Sequence, residues 1–348
     1  MKYSRVYIEA LGYELAPVVV SSEEIEERLA PLYDELHIPY GQLEALTGIY
    51  ERRWWPEGFP LSDGAIAAGR KALAASGVAA SELGAVLYTG VGRELFEPAT
   101  ACRVAGELGL GADAEIYDLS NACLGVLSGM VDVANRIELG QIRAGLVVSC
   151  ETARDIVEET MARMLEKRDM AFFSRALATM TGGSGAVAVL LTDGSFASSN
   201  GRRKLLGGTI KAAAEHHGLC RWGLDPIQPG VLRQFMNTDA VAVLKHGVQL
   251  GKRTWEAFLA EQGWTREQVD EVICHQVGST NQRTILEAIG IPEEKDFPSY
   301  AFLGNMGTVS LPITAAIAEE RHFLKPGDNV ALLGIGSGLN CMMLAVTW

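Results

Sequence analysis

One cysteine in the sequence sits on a seam. In "YDLSNACLGVLSGM", residues 117 to 130, a short apolar run ends and a nearly uncharged helical segment begins at Cys123. A thiol in the first turn of a helix faces unpaired backbone N–H groups and the positive end of the helix dipole. Both favour the thiolate, and so a nucleophile. An inert buried cysteine fits the same seam, and the local sequence leaves both readings open. Three further stretches carry groups able to serve such a nucleophile. "VICHQVGSTNQ" ends a strand-like run at His275, whose imidazole can move a proton or donate a hydrogen bond. "FLGNMGTVSLP" sets Asn305 between two glycines ahead of a helix, and "GIGSGLN" (334 to 340) lets backbone N–H groups approach a ligand closely. Taken singly, these are also what a core histidine, a turn and a loop look like.

The elements that must position these groups alternate between strand and helix. "ELGAVLYTG" (82 to 90), "RAGLVVSC" (143 to 150), "AVAVLLTDG" (186 to 194), "VDEVICHQ" (269 to 276) and "DNVALLGIG" (328 to 336) read as buried strands. "SSEEIEERLAPLYDEL" reads as a helix capped by Ser21 with Glu24 three residues on, and "SDGAIAAGRKALAASG" as a helix ending at Gly77. "STNQRTILEAIG" and "TAAIAEERHF" are also helical. Such alternation predicts a layered α/β fold. An internal echo goes further. "GGSGAVAVLLTDG" resembles "GIGSGLNCMMLAV", and "SELGAVLYTG" resembles "VDEVICHQ", which suggests a duplicated unit.

In this order, a cysteine at a helix start, His-Gln after a strand, Gly-Asn about 30 residues later and a terminal Gly-x-Gly-Ser-Gly resemble the thiolase superfamily. The chain is most similar to its condensing branch of ketoacyl synthase III type. "LTGIYERR" (46 to 53) resembles that branch's T-G-I-x-x-R-R signature. "TGGSGAVAVLL" resembles its G-D-G-A-x-A-x-x-L strand, with Ser184 where the family has aspartate. The resemblance runs from about residue 3 to the C-terminus. It implies a five-layered αβαβα thiolase fold made of two duplicated βαβαβαββ halves, residues 1–194 bearing the cysteine and 195–348 bearing the histidine and asparagine. It also implies the chemistry. Cys123 takes an acyl group from a thioester. The N–H groups of Cys123 and of the Gly336-Ser337-Gly338 loop, Ser337 included, hold the oxyanion. His275 and Asn305 bind the enolate oxygen of a second thioester.

The source of that enolate separates two readings. Ketoacyl synthases III decarboxylate malonyl on its carrier protein, whereas non-decarboxylating relatives need a base for the α-proton. Glu97, 26 residues before Cys123 in "GRELFEPATACRVAGELG", lies in an E-P-A-T tetrad resembling the E-P-(S/A)-T element of OleA-type enzymes. That likeness implies a homodimer in which Glu97 crosses into the partner's site and two fatty acyl-CoAs are joined to a β-keto acid. "SNACLG", "HQV" and "GNMGTVSLP" resemble the same type. An ordinary first-turn glutamate stabilised by the helix dipole is the plain alternative. Ketoacyl synthases III often carry a Trp five residues before the T-G-I threonine, where this chain has Gln42. Trp54 and Trp55 map onto no such role. Arg52, Arg53, Arg202, Arg203, Lys204 and Lys211 are candidate phosphate partners by charge alone, and an exposed charged face is the plain alternative. The implied reaction needs no cofactor beyond the acyl-CoA substrate.

Composition narrows the rest. The 348 residues are 48% hydrophobic with a net charge of −13, which disfavours nucleic acid as a partner. No run approaches the roughly 20 apolar residues of a membrane span, and Glu9, Glu14 and Pro17 interrupt any signal-peptide core. A cytoplasmic protein is expected. The six cysteines form no C-x-x-C pair and read as reduced thiols. "GVGREL" lacks the third glycine of a dinucleotide loop, "GGSGA" and "GIGSG" are not nucleophile elbows, and "EHHGLC" has no fourth ligand for a metal. The Met- and Phe-rich segment 153 to 180 reads as core; the resemblance would make it an acyl channel or dimer contact.

Overall fold

The computed structural model describes residues 1–196, 203–228 and 230–348. Nine strands share one hydrogen-bonded array: β1 (Tyr7–Leu15), β2 (Ala85–Tyr88), β3 (Glu115–Asp118), β4 (Ala144–Glu151), β5 (Gly185–Thr192), β6 (Arg203–Ala212), β7 (Glu271–Cys274), β8 (Asn329–Gly336) and β9 (Asn340–Thr347). Their order is β7-β8-β9-β6-β1-β5-β4-β2-β3. The duplication shows in the pairing. β1 pairs antiparallel with β5, β5 antiparallel with β4, and β4 parallel with β2. Likewise β6 pairs antiparallel with β9, β9 antiparallel with β8, and β8 parallel with β7. A parallel bridge from Val272 to Asp296 stands where β3 stands in the first half. Within the sheet the halves join where β1 pairs with β6, Tyr7 with Lys204 and Ile8 with Arg203.

This assigns both echoes of the sequence. "AVAVLLT" forms β5 and "NCMMLAV" forms β9, which hold the same place in their halves. "AVLY" forms β2 and "EVIC" forms β7, each the parallel neighbour of a central strand.

Strands buried on both faces need helices on both sides. Val187, Val189 and Leu191 of β5, with Met342, Leu344 and Val346 of β9, face a central layer made by α3 (Gly125–Glu138) and α6 (Ser310–Glu320). The alternate residues Ala186, Ala188 and Leu190 face α1 (Leu61–Ser76) and α2 (Thr100–Leu108). Cys341, Met343 and Ala345 face α4 (Ala240–Gln262) and α5 (Ser279–Ile289). The result is five layers, with the Cys123 helix in the middle one. α1 ends at Gly77 in the left-handed region, as the sequence predicts. Ser21 does cap Glu24, but that helix divides into Ser22–Arg28 and Ala30–Leu36, because Pro31 lacks the N–H to continue it. Segment 153 to 180 forms helices Arg154–Lys167 and Met170–Ala176, whose Met161, Met164 and Phe173 join Leu29, Leu32 and Tyr33 in a separate cluster. Among the described residues, no helix is long and apolar enough to cross a membrane.

Candidate active site

Cys123 lies in a single 3-10 turn, Ala122–Leu124, which runs directly into α3. The residue before it, Ala122, has φ +45°, a conformation that costs a non-glycine residue energy and recurs where a side chain must be aimed. Gly125 follows the turn because nothing larger fits. A Cβ there would lie 2.2 Å from the Thr89 carbonyl and 3.2 Å from Thr308 Oγ1. The terminal glycine loop covers the turn from the other half. A Cβ on Gly336 would be 3.3 Å from the Cys123 nitrogen, and the Asn340 amide reaches Asn121 Oδ1 at 3.3 Å. Ser337 lies one residue further on, half-buried, at the start of the turn between β8 and β9.

The expected activation of the thiol by its helix terminus is not what the folded chain produces. Burial pushes the Cys123 thiol up to about 12, Cys220 and Glu151 add negative charge nearby, and one backbone hydrogen bond opposes them. Desolvation outweighs the partial charge of a single helix end. Cys123 is therefore a neutral thiol at pH 7. Alkylation of Cys123 by iodoacetamide, followed by peptide mass spectrometry, should accelerate about tenfold per pH unit across the neutral range. A plateau below about pH 8 would mean a stabilised thiolate and contradict this assignment.

His275 follows β7 and hydrogen-bonds through its N–H to Leu333 O of β8, the strand that overlies the Cys123 turn. Burial pushes its imidazole down to about 4, so it is neutral at pH 7 and acts as an uncharged donor or proton acceptor. Asn305 is held by its backbone between Thr181 O and Gly183 N. Its side-chain Oδ1 accepts the Gly307 N–H at 3.1 Å, which leaves the amide NH2 as the remaining donor. Three residues on, Thr308 Oγ1 accepts the Val126 N–H of α3 at 2.7 Å. The Asn305 turn is thus bolted to the first turn of the Cys123 helix.

Glu97 lies elsewhere. It is exposed on the loop 89–99, and α2 begins only at Thr100. The first-turn role belongs to Asp118, whose carboxylate takes the Thr100 and Ala101 N–H groups at 2.9 Å. Around it, Phe96 is fully exposed and Leu95 is 60% exposed, while Glu94 ties the loop back to Ser62 at 2.7 Å.

Two of the charge-based phosphate partners, Arg52 and Arg203, are corrected. Arg52 is fully buried, donating to Val20 O and Ser22 Oγ. Arg203 pairs with Glu319 against the Trp348 ring. Arg53 and Lys204 lie within strands, their backbones paired with Val19 and with Tyr7 and Thr347, and Lys211 pairs with Cys341. Arg202 lies outside the described residues. Trp54 and Trp55 are both buried, donating to Gly182 O and Glu151 O, so neither offers a free ring face to a nucleotide. Of the "EHHGLC" group, Cys220 faces Thr238 Oγ1 at 3.4 Å and His216 stacks on His246.

The sequence reading missed the cationic cluster that does exist. Helices Arg154–Lys167 and Met170–Ala176 and the hairpin of strands Cys220–Gln228 and Val231–Thr238 enclose a cavity of about 330 Å³. Arg163, Lys167, Arg175 and Arg221 line it with Phe172 and Phe235, and two aspartates, Asp169 and Asp225, offset part of the charge. Its rim at Asn237 adjoins Thr238, whose Oγ1 lies 3.4 Å from Cys220 Sγ. No local motif announces four cations drawn from three elements. Also missed were Gln276 and Glu151. Gln276 accepts from Ser299 and Tyr300 and donates to Cys274 O, so the His275 strand end and the segment leading to Asn305 move as one.

Comparison with known proteins accords with this arrangement. Residues 259–348 match the family described as 3-oxoacyl-acyl-carrier-protein synthase III C terminal. The chain is 63% identical to the acyl-CoA:acyl-CoA alkyltransferase of Shewanella oneidensis and 36% identical to that of Xanthomonas campestris, with all of both chains covered in each case. A crystal structure of a Xanthomonas campestris OleA variant with bound lauric acid and lauroyl-CoA superposes with a TM-score of 0.92 at 35% identity, over 99% of this chain and 100% of that one.

Proposed function

We infer that this chain, which belongs to the family of OleA-type acyl-CoA:acyl-CoA alkyltransferases, joins two fatty acyl-CoA thioesters by a non-decarboxylative Claisen condensation. The observation that carries the reading is the junction of three segments at Cys123: its own turn, the Gly336 loop and the Asn305 turn bolted to α3. The Cys123 sulfur attacks the first thioester carbonyl as its proton passes to neutral His275. The tetrahedral oxyanion is held by the Cys123 N–H and a donor from Gly336-Ser337-Gly338. CoA leaves as the thiol, and the acyl chain stays on sulfur. The second acyl-CoA loses an α-proton to Glu97 of the partner subunit. Its enolate oxygen is held by His275 and the Asn305 NH2, and the carbanion attacks the acyl-Cys123 carbonyl. The Cys123 sulfur departs as the thiolate and is reprotonated by the proton held on the Glu97 carboxyl, restoring both groups, and a β-ketoacyl thioester forms, whose hydrolysis by water gives the β-keto acid.

A homodimer follows from the assignment of Glu97, since in one subunit the loop carries it outward beside solvent-exposed Leu95 and Phe96. The cationic cavity near Cys220 suits the phosphates of CoA in an otherwise acidic chain. A thiol, a carboxylate, an imidazole and an amide suffice for these steps, so the reading includes no cofactor or metal. It places the enzyme in the cytoplasm with its acyl-CoA substrate. The test is incubation with radiolabelled acyl-CoA alone, followed by extraction. A product of doubled chain length supports the reading. Turnover only when malonyl-carrier protein is added would favour a decarboxylative ketoacyl synthase III, and free fatty acid alone would mean hydrolysis without condensation.

A further inference from the structure

Glu151 ends β4, the central strand of the first half, and is one of the few carboxylates buried almost completely. Its partners are backbone N–H groups from two different loops. Oε1 accepts the Val91 N–H at 3.0 Å, and the N–H groups of Gly92 and Thr308 lie close enough to favour the charged carboxylate. A Cβ on Gly307 would sit 3.5 Å from the same carboxyl carbon. Val91 and Gly92 begin the loop that ends in Glu97, while Gly307 and Thr308 complete the turn that begins with Asn305. Thr308 in turn grips Val126 of the Cys123 helix, and Tyr88 steadies the loop by donating to Gly92 O. A carboxylate accepting several N–H groups is a strong tie, and a buried one has no water to replace a lost partner.

We propose that Glu151 is a positioning residue that holds a subunit's own Asn305 turn and the Glu97 loop it lends to its partner in register with Cys123. The inference rests on the roles given to Glu97 and Asn305 above. It concerns condensation rather than acylation, because acylation needs only Cys123, His275 and the oxyanion donors. Burial pushes the Glu151 carboxyl up to about 7, so it takes up a proton as pH falls through neutrality. A protonated carboxyl sets an O–H donor against N–H donors and loosens the tie. The groups facing it titrate elsewhere: Cys123 is pushed up to about 12, and Tyr88 and Cys150 well above their ordinary values. Glu94 stands further along the same loop, bound to Ser62. Asp296, beneath Cys274, is pushed up to about 6 and is the other carboxyl able to shape this pH range.

The experiment compares Glu151→Gln with the wild type, reading CoA release in the acylation burst and doubled-chain product over a pH series. The variant should acylate within about threefold of wild type and condense about 10–100-fold more slowly. The loss of wild-type condensation as pH falls through about 7 should vanish in the variant, while any limb from Asp296 persists. Unchanged condensation with an unchanged profile overturns the proposal. So does a proportional loss of both steps, which would mark Glu151 as a plain stability residue. Should the variant not fold, the wild type decides: condensation must fall relative to acylation near pH 7, and parallel profiles overturn the idea. A wild type that makes no doubled chain would instead sink the condensation reading itself.

Discussion

Glu97→Gln is expected to lower condensation by about 10²–10⁴-fold, the usual contribution of a positioned general base, while acylation of Cys123 proceeds at the wild-type rate. Glutamine keeps the shape of the side chain and removes only its ability to take the α-proton. The position of Glu97 makes a sharper version available. It is exposed on its own subunit, and Cys123 sits under the Gly336 loop of the same chain. If the base crosses the dimer, two dead enzymes can repair each other. A Cys123→Ala subunit still lends Glu97 to a Glu97→Gln partner that still owns Cys123. Random exchange of equal amounts makes half the dimers mixed, each with one complete site of two, so about a quarter of wild-type condensation should return. Both variants are assayed alone and after unfolding and refolding together. No recovery in verified mixed dimers would place Glu97 outside the partner's site, and a strictly monomeric active enzyme would remove the assignment altogether.

Gly125→Ala is the second large effect, and it acts through sterics alone. The added methyl would lie 2.2 Å from Thr89 O, and that carbonyl cannot withdraw easily because Thr89 N is bound to Val148 O at 2.9 Å. The start of α3 must shift instead, and Cys123 two residues before shifts with it. A displacement of about 1 Å of a reacting atom costs on the order of 100-fold in rate. Overpacking adds about 1–3 kcal/mol of lost stability. Burst acylation and thermal unfolding are the two readouts. Gly106→Ala in α2 is the control, since a Cβ there meets nothing within 4 Å. Acylation by Gly125→Ala within a few fold of wild type would show that the Cys123 turn tolerates movement.

Much of the fold was legible because its signals are local. Uninterrupted apolar runs such as "AVAVLL" mark strands buried on both faces, and Gly77 and Ser21 mark helix ends by their own backbone chemistry. The duplicated strands betrayed themselves because equivalent places in two layered halves, buried on both faces, demand the same kind of uninterrupted apolar run. The break at Pro31 shows a local rule overlooked rather than a tertiary surprise. The arginines failed for a different reason. Arg52 and Arg203 look like any surface cation in sequence, yet one is sealed under Val20 and the other locked to Glu319.

What the sequence determined by itself was the set of reactive groups, their order along the chain and the layered scaffold, since residue types and backbone propensities are properties of short stretches. Tertiary structure decided how those groups behave. Cys123 is a protonated thiol and His275 a neutral imidazole because burial, not the helix end, sets their charge. The Asn305 side chain is left with its NH2 as the remaining donor because Gly307 claims its oxygen. Glu97 stays exposed rather than spent on a helix cap, because Asp118 already fills that place. Glu151 and the cavity of Arg163, Lys167, Arg175 and Arg221 arise only where distant segments meet. Desolvation and Coulomb forces act through space, and spatial neighbours are what a linear pattern does not contain.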